Sequence, residues 1–264
     1  MEETHFVTDK VNVVVTGRVA TIQLNRPESL NALDAEMIKG LICTLKTICE
    51  SDEIDIVVLT GNGRAFSAGG DIKWMAEQSN ESDFLGLMEC INEMVVTLYS
   101  MPKLTISGIS GAAAGLGLSI ALATDYIIAD TSSILAMNFI GIGLIPDGGG
   151  HFFLEKRLGE TKAKQLIWEG KKYRADEARE IGLIQEVAVG ELQDALEARI
   201  ADWLSRPVQA MIKTKKILAE KNRPQLLKIL ELEKYGQLKM RETADHREGI
   251  QAFIEKRPAQ FIGK

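Results

Sequence analysis

The sequence predicts an α/β fold. Three observations carry that prediction. Short β-branched runs alternate with helix-period patterns over the first 190 or so residues. Two glycine-rich turns sit in the middle of the chain, after strand-like runs. From Glu191 onward only helical periodicity is found, broken at Pro207 and Pro224.

Taken in order, Val11–Val15 and Val19–Leu24 read as two strands joined at Thr16–Arg18, and Pro27 stops the second. Met37, Leu41, Leu45 and Ile48 recur at helical spacing behind Asp34, a candidate N-cap. Ile56–Thr60 is a short buried strand with a turn at Gly61–Gly63. Ala65–Ile72 reads as a strand end, a glycine turn and a helix beginning at Asp71. A longer helix covers Ser82–Tyr99 and stops before Pro102. Leu104–Ile109 is a buried strand, and the helix after it starts within Gly115–Leu118. Tyr126–Ala129 and Ile134–Met137 are further strands. Gly149–Leu158, Thr161–Trp168 and Ala175–Ile181 are helical, and Ile184–Val187 closes the α/β part as a strand. The division is a core over 1–206 and a helical region over 207–264.

The 264 residues are 45% hydrophobic, enough for a sizeable core, and carry a formal charge of −6. That charge argues against nucleic acid as the main ligand, though not against an anion held by a few lysines. The three cysteines, Cys43, Cys49 and Cys90, have no metal-ligand spacing, so no metal is expected and the compartment reads as reducing and cytoplasmic. The N-terminus is acidic and lacks an apolar signal core. Leu104–Thr124 is uncharged and long enough to cross a bilayer, with a GxxxG at Gly111–Gly115. Its glycines, serines and strand-like front half mark a buried strand–turn–helix instead.

Three places could carry chemistry. In Ala68-Gly69-Gly70-Asp71-Ile72 the Gly70 N–H could serve as half of an oxyanion hole, with Asp71 as a helix cap; an ordinary glycine turn is the competing reading. In Gly115-Leu116-Gly117-Leu118 the Leu116 N–H, at a helix start, could be the other half. Close helix–sheet packing explains those glycines equally well, and a dinucleotide loop fails for want of a third glycine. Asp147, in Pro146-Asp147-Gly148, fits an acid/base desolvated by Phe139, Ile142, Phe152 and Phe153, and also fits plain turn chemistry. Ser119 reads as a core serine, Lys213–Lys216 as a solvated helix face and His246 as a surface residue.

Together these stretches resemble the enoyl-CoA hydratase/isomerase family, the crotonase superfamily. The matching runs are Leu24–Pro27 with Leu30–Leu33, Phe66–Ile72, Ser110–Leu118 with Ala123–Asp125, Gly143–Gly150, and Ala252–Arg257 with Phe261. The resemblance covers essentially the whole chain. It implies a crotonase-like spiral of ββα units with a C-terminal helical region, assembled as a homotrimer or hexamer. It implies an acyl-CoA thioester bound through its carbonyl to the Gly70 and Leu116 N–H groups, with no cofactor beyond that coenzyme A. The CoA would lie near Ser29, Leu30 and Ala68–Ile72, with Phe261 and Lys264 of a neighbouring tail as further contacts.

The two glutamates that the family's hydratases use fall, by motif, on Ser119 and Phe139. The acid that remains is Asp147, at a turn where some of the family's isomerases resemble this chain in carrying an aspartate. The expected activity is therefore an enoyl-CoA isomerase, with a hydratase of fatty-acid or related acyl-CoA degradation (β-oxidation) as the alternative. A non-catalytic acyl-CoA- or RNA-binding homologue stands as the alternative of another class.

Overall fold

The computed structural model describes residues 8–72 and 80–264. The main sheet begins with a hairpin, β1 (Val11–Thr16) and β2 (Val19–Leu24), paired antiparallel from Val11 opposite Leu24 to Thr16 opposite Val19. Beyond it β3 (Ile56–Gly61), β5 (Leu104–Ile109), β7 (Tyr126–Ala129) and the two-residue β10 (Glu186–Val187) add in parallel. The order is β1-β2-β3-β5-β7-β10. A smaller sheet holds β4 (Ala65–Ser67), β6 (Ala112–Ala114), β8 (Ile134–Ala136) and β9 (Lys172–Arg174), the last antiparallel.

The chain thus climbs in a repeated step. A strand joins the large sheet, the next joins the small one, and a turn then leads on. After β6 that turn leads directly into α3 (Leu116–Leu122). The helix expected from Asp71 lies, past Ile72, outside the described residues.

Alternation along the parallel strands explains why both sheet faces are covered. Val57 and Leu59 of β3 face the main core, with α1 (Ala35–Glu50) and α2 (Glu81–Ser100). Ile56 and Val58 face a second cluster with Leu104, Ile106 and Ile128, under Leu196 and Trp203 of α7 (Leu192–Leu204). Asp34 caps α1 by accepting from the Met37 N–H at 2.9 Å.

Between these lie α4 (Gly150–Leu158), α5 (Glu160–Glu169) and α6 (Ala175–Glu180). The C-terminal region is α8 (Val208–Arg241) and α9 (Ala244–Glu255). Two expectations need correction. Pro224 does not divide the tail: α8 runs unbroken for 34 residues. The cost of a mid-helix proline, about 3 kcal/mol, is offset by Leu226 and Leu230, both fully buried in the main core. Lys213–Lys216 is not a uniformly solvated face either. The Lys215 side chain is only 8% exposed, its Nζ donating to Asp125 Oδ2 at 2.8 Å and to the Lys103 carbonyl at 2.8 Å.

Candidate active site

Two backbone turns meet at the site. The first follows β4. Leu33 donates its N–H to the Gly69 carbonyl (2.8 Å) and accepts from the Asp71 N–H (3.0 Å), making an isolated parallel bridge with Gly70. A residue bridged in this way turns its own N–H and C=O to the opposite side. The Gly70 amide therefore faces away from Leu33, and Gly70 borders a cavity of about 490 Å³.

The second turn follows β6. Gly115, at φ +51°, caps α3, so the Leu116 N–H is a first-turn donor without an intrahelical acceptor. Among the described residues neither N–H donates to a backbone carbonyl. Gly69, at φ +98°, lets the turns touch: a Cβ there would lie 2.7 Å from the Ala114 carbonyl oxygen and 3.5 Å from the Leu116 nitrogen.

Asp147 lies on the wall of the same cavity and is 4% exposed. Its Oδ2 accepts from Gln237 Nε2 at 3.2 Å, while Oδ1 is buried with no hydrogen-bond partner. Burial, with the negative charge of Glu233 adding to it, pushes this carboxyl well above the usual carboxylate range; the Gln237 bond pulls the other way. Phe139, Ile142 and Leu144 line the cavity around it. Phe152 and Phe153 are buried but pack on each other and on Tyr99 instead, Phe152 edge-on to both rings and Phe153 tilted against Tyr99.

Ser119 is fully buried and donates to the Asp147 carbonyl at 2.7 Å. Phe139 presents only hydrocarbon. No carboxylate other than Asp147 borders the cavity among the described residues.

The 27–31 turn is drawn to the first glycine turn. The Ala68 N–H donates to the Leu30 carbonyl at 2.9 Å, and Arg26 reaches Asp71 at 3.1 Å. Ser29 and Leu30 thus lie beside Ala68–Asp71, although Ser29, Leu30 and Asp71 do not line the cavity itself. Phe261 and Lys264 are exposed and also lie off it. Their segment folds back on its own α9, where Asp245 accepts from the Ile262 and Gly263 N–H groups at 2.7 and 2.8 Å.

Sequence reasoning missed the C-terminal wall. His246 is not a surface residue: it lines the cavity, and its Nδ1 donates to the Ile142 carbonyl at 2.8 Å. Burial lowers its pKa and so favours the neutral imidazole. Arg241, Arg247, Ile250 and Phe253 complete that wall. Glu233 and Gln237 of α8 reach the Asp147 turn from behind. Helical spacing could place these residues on a helix but could not say what the helix covers.

Two main-chain donors and a buried, proton-avid carboxyl on one cavity suit proton transfer at a carbon next to a carbonyl. Comparison with known proteins names a family. Residues 15–264 match the family model for enoyl-CoA hydratase/isomerase. The chain is 46% identical to the Bacillus subtilis (strain 168) protein YhaR over 95% of this chain and 98% of the relative, whose name goes no further than a provisional enoyl-CoA hydratase/isomerase. It is 35% identical to the 1,2-epoxyphenylacetyl-CoA isomerase of Escherichia coli (strain K12), over 93% of this chain and 95% of the relative. The crystal structure of an enoyl-CoA hydratase from Mycobacterium avium subsp. paratuberculosis K-10 superposes with a TM-score of 0.88 at 29% identity, covering 97% of this chain and all of that one. With its two sheets, its two adjoining glycine turns and this match over nearly its whole length, the chain belongs to the enoyl-CoA hydratase/isomerase family, the crotonase superfamily.

Proposed function

We propose that this family member is an enoyl-CoA isomerase that moves a double bond from the 3,4 to the 2,3 position of an acyl-CoA thioester. The observation that carries the proposal is Asp147 Oδ1, a buried carboxylate oxygen without a protein partner on the wall of the cavity. The thioester makes the C2 proton acidic. Asp147 Oδ1 takes that proton, and the C2–H electron pair delocalises into a dienolate. The Gly70 and Leu116 N–H groups hold its oxygen, each worth about 3 kcal/mol to the transition state. Asp147, now a carboxylic acid, returns the proton at C4, and the double bond is left at C2–C3. One acid suffices, because C2 and C4 present the same face of a planar dienolate.

Hydration would need a positioned water and groups to activate it. The Ser119 hydroxyl is committed to a carbonyl, and Phe139 has nothing to offer. The reading carries with it a substrate brought by coenzyme A, no further cofactor, a cytoplasmic homotrimer or hexamer, and a place in acyl-CoA degradation such as β-oxidation.

The test is to supply the purified protein with a 3-enoyl-CoA, and separately with a 2-enoyl-CoA in water. Isomerisation should dominate, and Asp147→Asn should lower it by about 10²–10⁴-fold. Hydration faster than isomerisation would overturn the activity; an unchanged rate in Asp147→Asn would remove Asp147 as the base.

A further inference from the structure

Asp147 sits on a turn, and a turn alone does not fix which carboxylate oxygen faces a substrate. The long C-terminal helix supplies the missing constraint. Glu233 and Gln237 stand one helical turn apart on α8, so their side chains leave the same face. Both are buried, at 2% and 1% exposure, which is unusual for a glutamate and a glutamine.

Gln237 Nε2 uses its two donors on the near side of the turn, on the Ile145 carbonyl at 2.6 Å and Asp147 Oδ2 at 3.2 Å. Glu233 takes the far side. Its Oε2 accepts from the Gly149 N–H at 2.7 Å, and its Oε1 accepts from the His151 N–H at 3.1 Å and ring Nδ1 at 2.8 Å. The two side chains therefore bracket residues 145–151; of the two Asp147 carboxylate oxygens the one they leave unbonded is Oδ1, and Gln237 Oε1 is likewise buried without a partner.

We propose that Glu233 and Gln237 are positioning residues for Asp147: a clamp on α8 in which Gln237 fixes the rotamer that aims Oδ1 at the α carbon, and Glu233 anchors the far side of the turn and brings a second carboxylate to it. The catalytic part of this statement rests on the isomerase reading above; the electrostatic part does not. Other charged or titratable groups face the site too. His151 comes from α4, Arg241 from the end of α8, and His246 and Arg247 from α9 across the cavity. Of these, the Glu233 carboxylate and the His151 ring are joined by a hydrogen bond. Glu233→Gln removes the charge while keeping an acceptor for that bond.

Titration of the free protein by carbon-13 NMR, with labelled aspartate carboxyls, tests this without any substrate. The Asp147 signal is the one that disappears in Asp147→Asn. In the wild type it should titrate above the ordinary carboxylate range. Glu233→Gln should lower its midpoint by about one pH unit, Glu233→Asp should restore most of it, and Gln237→Leu should raise it. In turnover, Gln237→Leu should lower kcat with little change in KM. If Glu233→Gln does not fold, Glu233→Asp and Gln237→Leu still carry the test. An Asp147 midpoint unmoved in folded Glu233→Gln or Gln237→Leu protein would overturn the clamp. Absence of isomerisation by the wild type, with the midpoints moving as stated, would instead overturn the isomerase reading and leave the clamp standing.

Discussion

Ser119 Oγ donates to the main-chain carbonyl of Asp147 at 2.7 Å, so a serine with no exposed surface braces the turn that carries the acid. The same carbonyl also accepts from the Gly150 N–H at 3.0 Å. Ser119→Ala should therefore cost only about 1 kcal/mol, seen as a melting temperature lower by about 2–4 °C. Placing a glutamate there is a different matter. Ser119 has no exposed surface, and side chains added at Gly148 or Gly150 would already press on it within about 3.3 Å. Ser119→Glu should lower stability by more than about 3 kcal/mol and confer no hydratase activity, measured by melting and by hydration of a 2-enoyl-CoA.

Gly69→Ala tests the meeting of the two turns. The added methyl would stand 2.7 Å from the Ala114 carbonyl oxygen, at a φ of +98° that alanine avoids. The turn must shift, carrying the Gly70 amide away from its neighbour at Leu116. Because an oxyanion site depends on donor placement, turnover should fall by about 10²–10³-fold while thermal unfolding remains a single transition. Turnover near the wild-type rate would separate the Gly69 turn from catalysis.

How much of this was legible follows from which residues carry local signals. The β-branched runs of β3 and β5 announced themselves. β6, Ala112–Ala114, did not: three alanines have no strand preference and are held by pairing with β4 and β8. β9 is three partly exposed residues with no apolar alternation. Gly70, Leu116 and Asp147 could be singled out because glycine turns and a turn aspartate are local chemistry. Glu233 could not. Its partner Gly149 is 84 residues away, and along α8 it looks like the other charges of an amphipathic helix. Lys215 was misread for the same reason.

Burial of Asp147 should trade stability for function, and pH exposes the trade. An ordinary aspartate titrates near 3.8; in the folded chain this one titrates well above that. Between the two values the folded protein holds a proton that the unfolded chain has released. Unfolding then releases a proton, so the stability contributed by this group falls as pH rises through that window. Asp147→Asn removes the dependence and the unfavourable proximity to Glu233. Relative to the wild type, the variant should gain about 1–3 kcal/mol at neutral pH and nothing below about pH 4. Denaturant unfolding at several pH values measures it, and a constant difference across the range would contradict the assigned burial.

The Lys215–Asp125 pair should be worth more as a pair than either side chain alone suggests. Asp125 Oδ2 accepts from Lys215 Nζ, from the Thr105 N–H and from the Thr105 hydroxyl, each at 2.8 Å. It thereby ties the end of α3 and the start of β7 to β5 and to α8. Lys215 is buried enough that its pKa is lowered even with this partner, so desolvation outweighs attraction for the lysine. Lys215→Met removes the costly charge but strips Asp125 of its counter-ion. Asp125→Asn leaves a buried ammonium unpaired. Each should destabilise the fold, by about 3 kcal/mol for the second and by less for the first, because Asp125 keeps 28% exposure and can recover water. The double variant should lose less than the sum of the two, with a coupling of about 1–2 kcal/mol in a double-mutant cycle measured by denaturant unfolding. Additive losses would mean that the aspartate acts through Thr105 alone, with no coupling to Lys215.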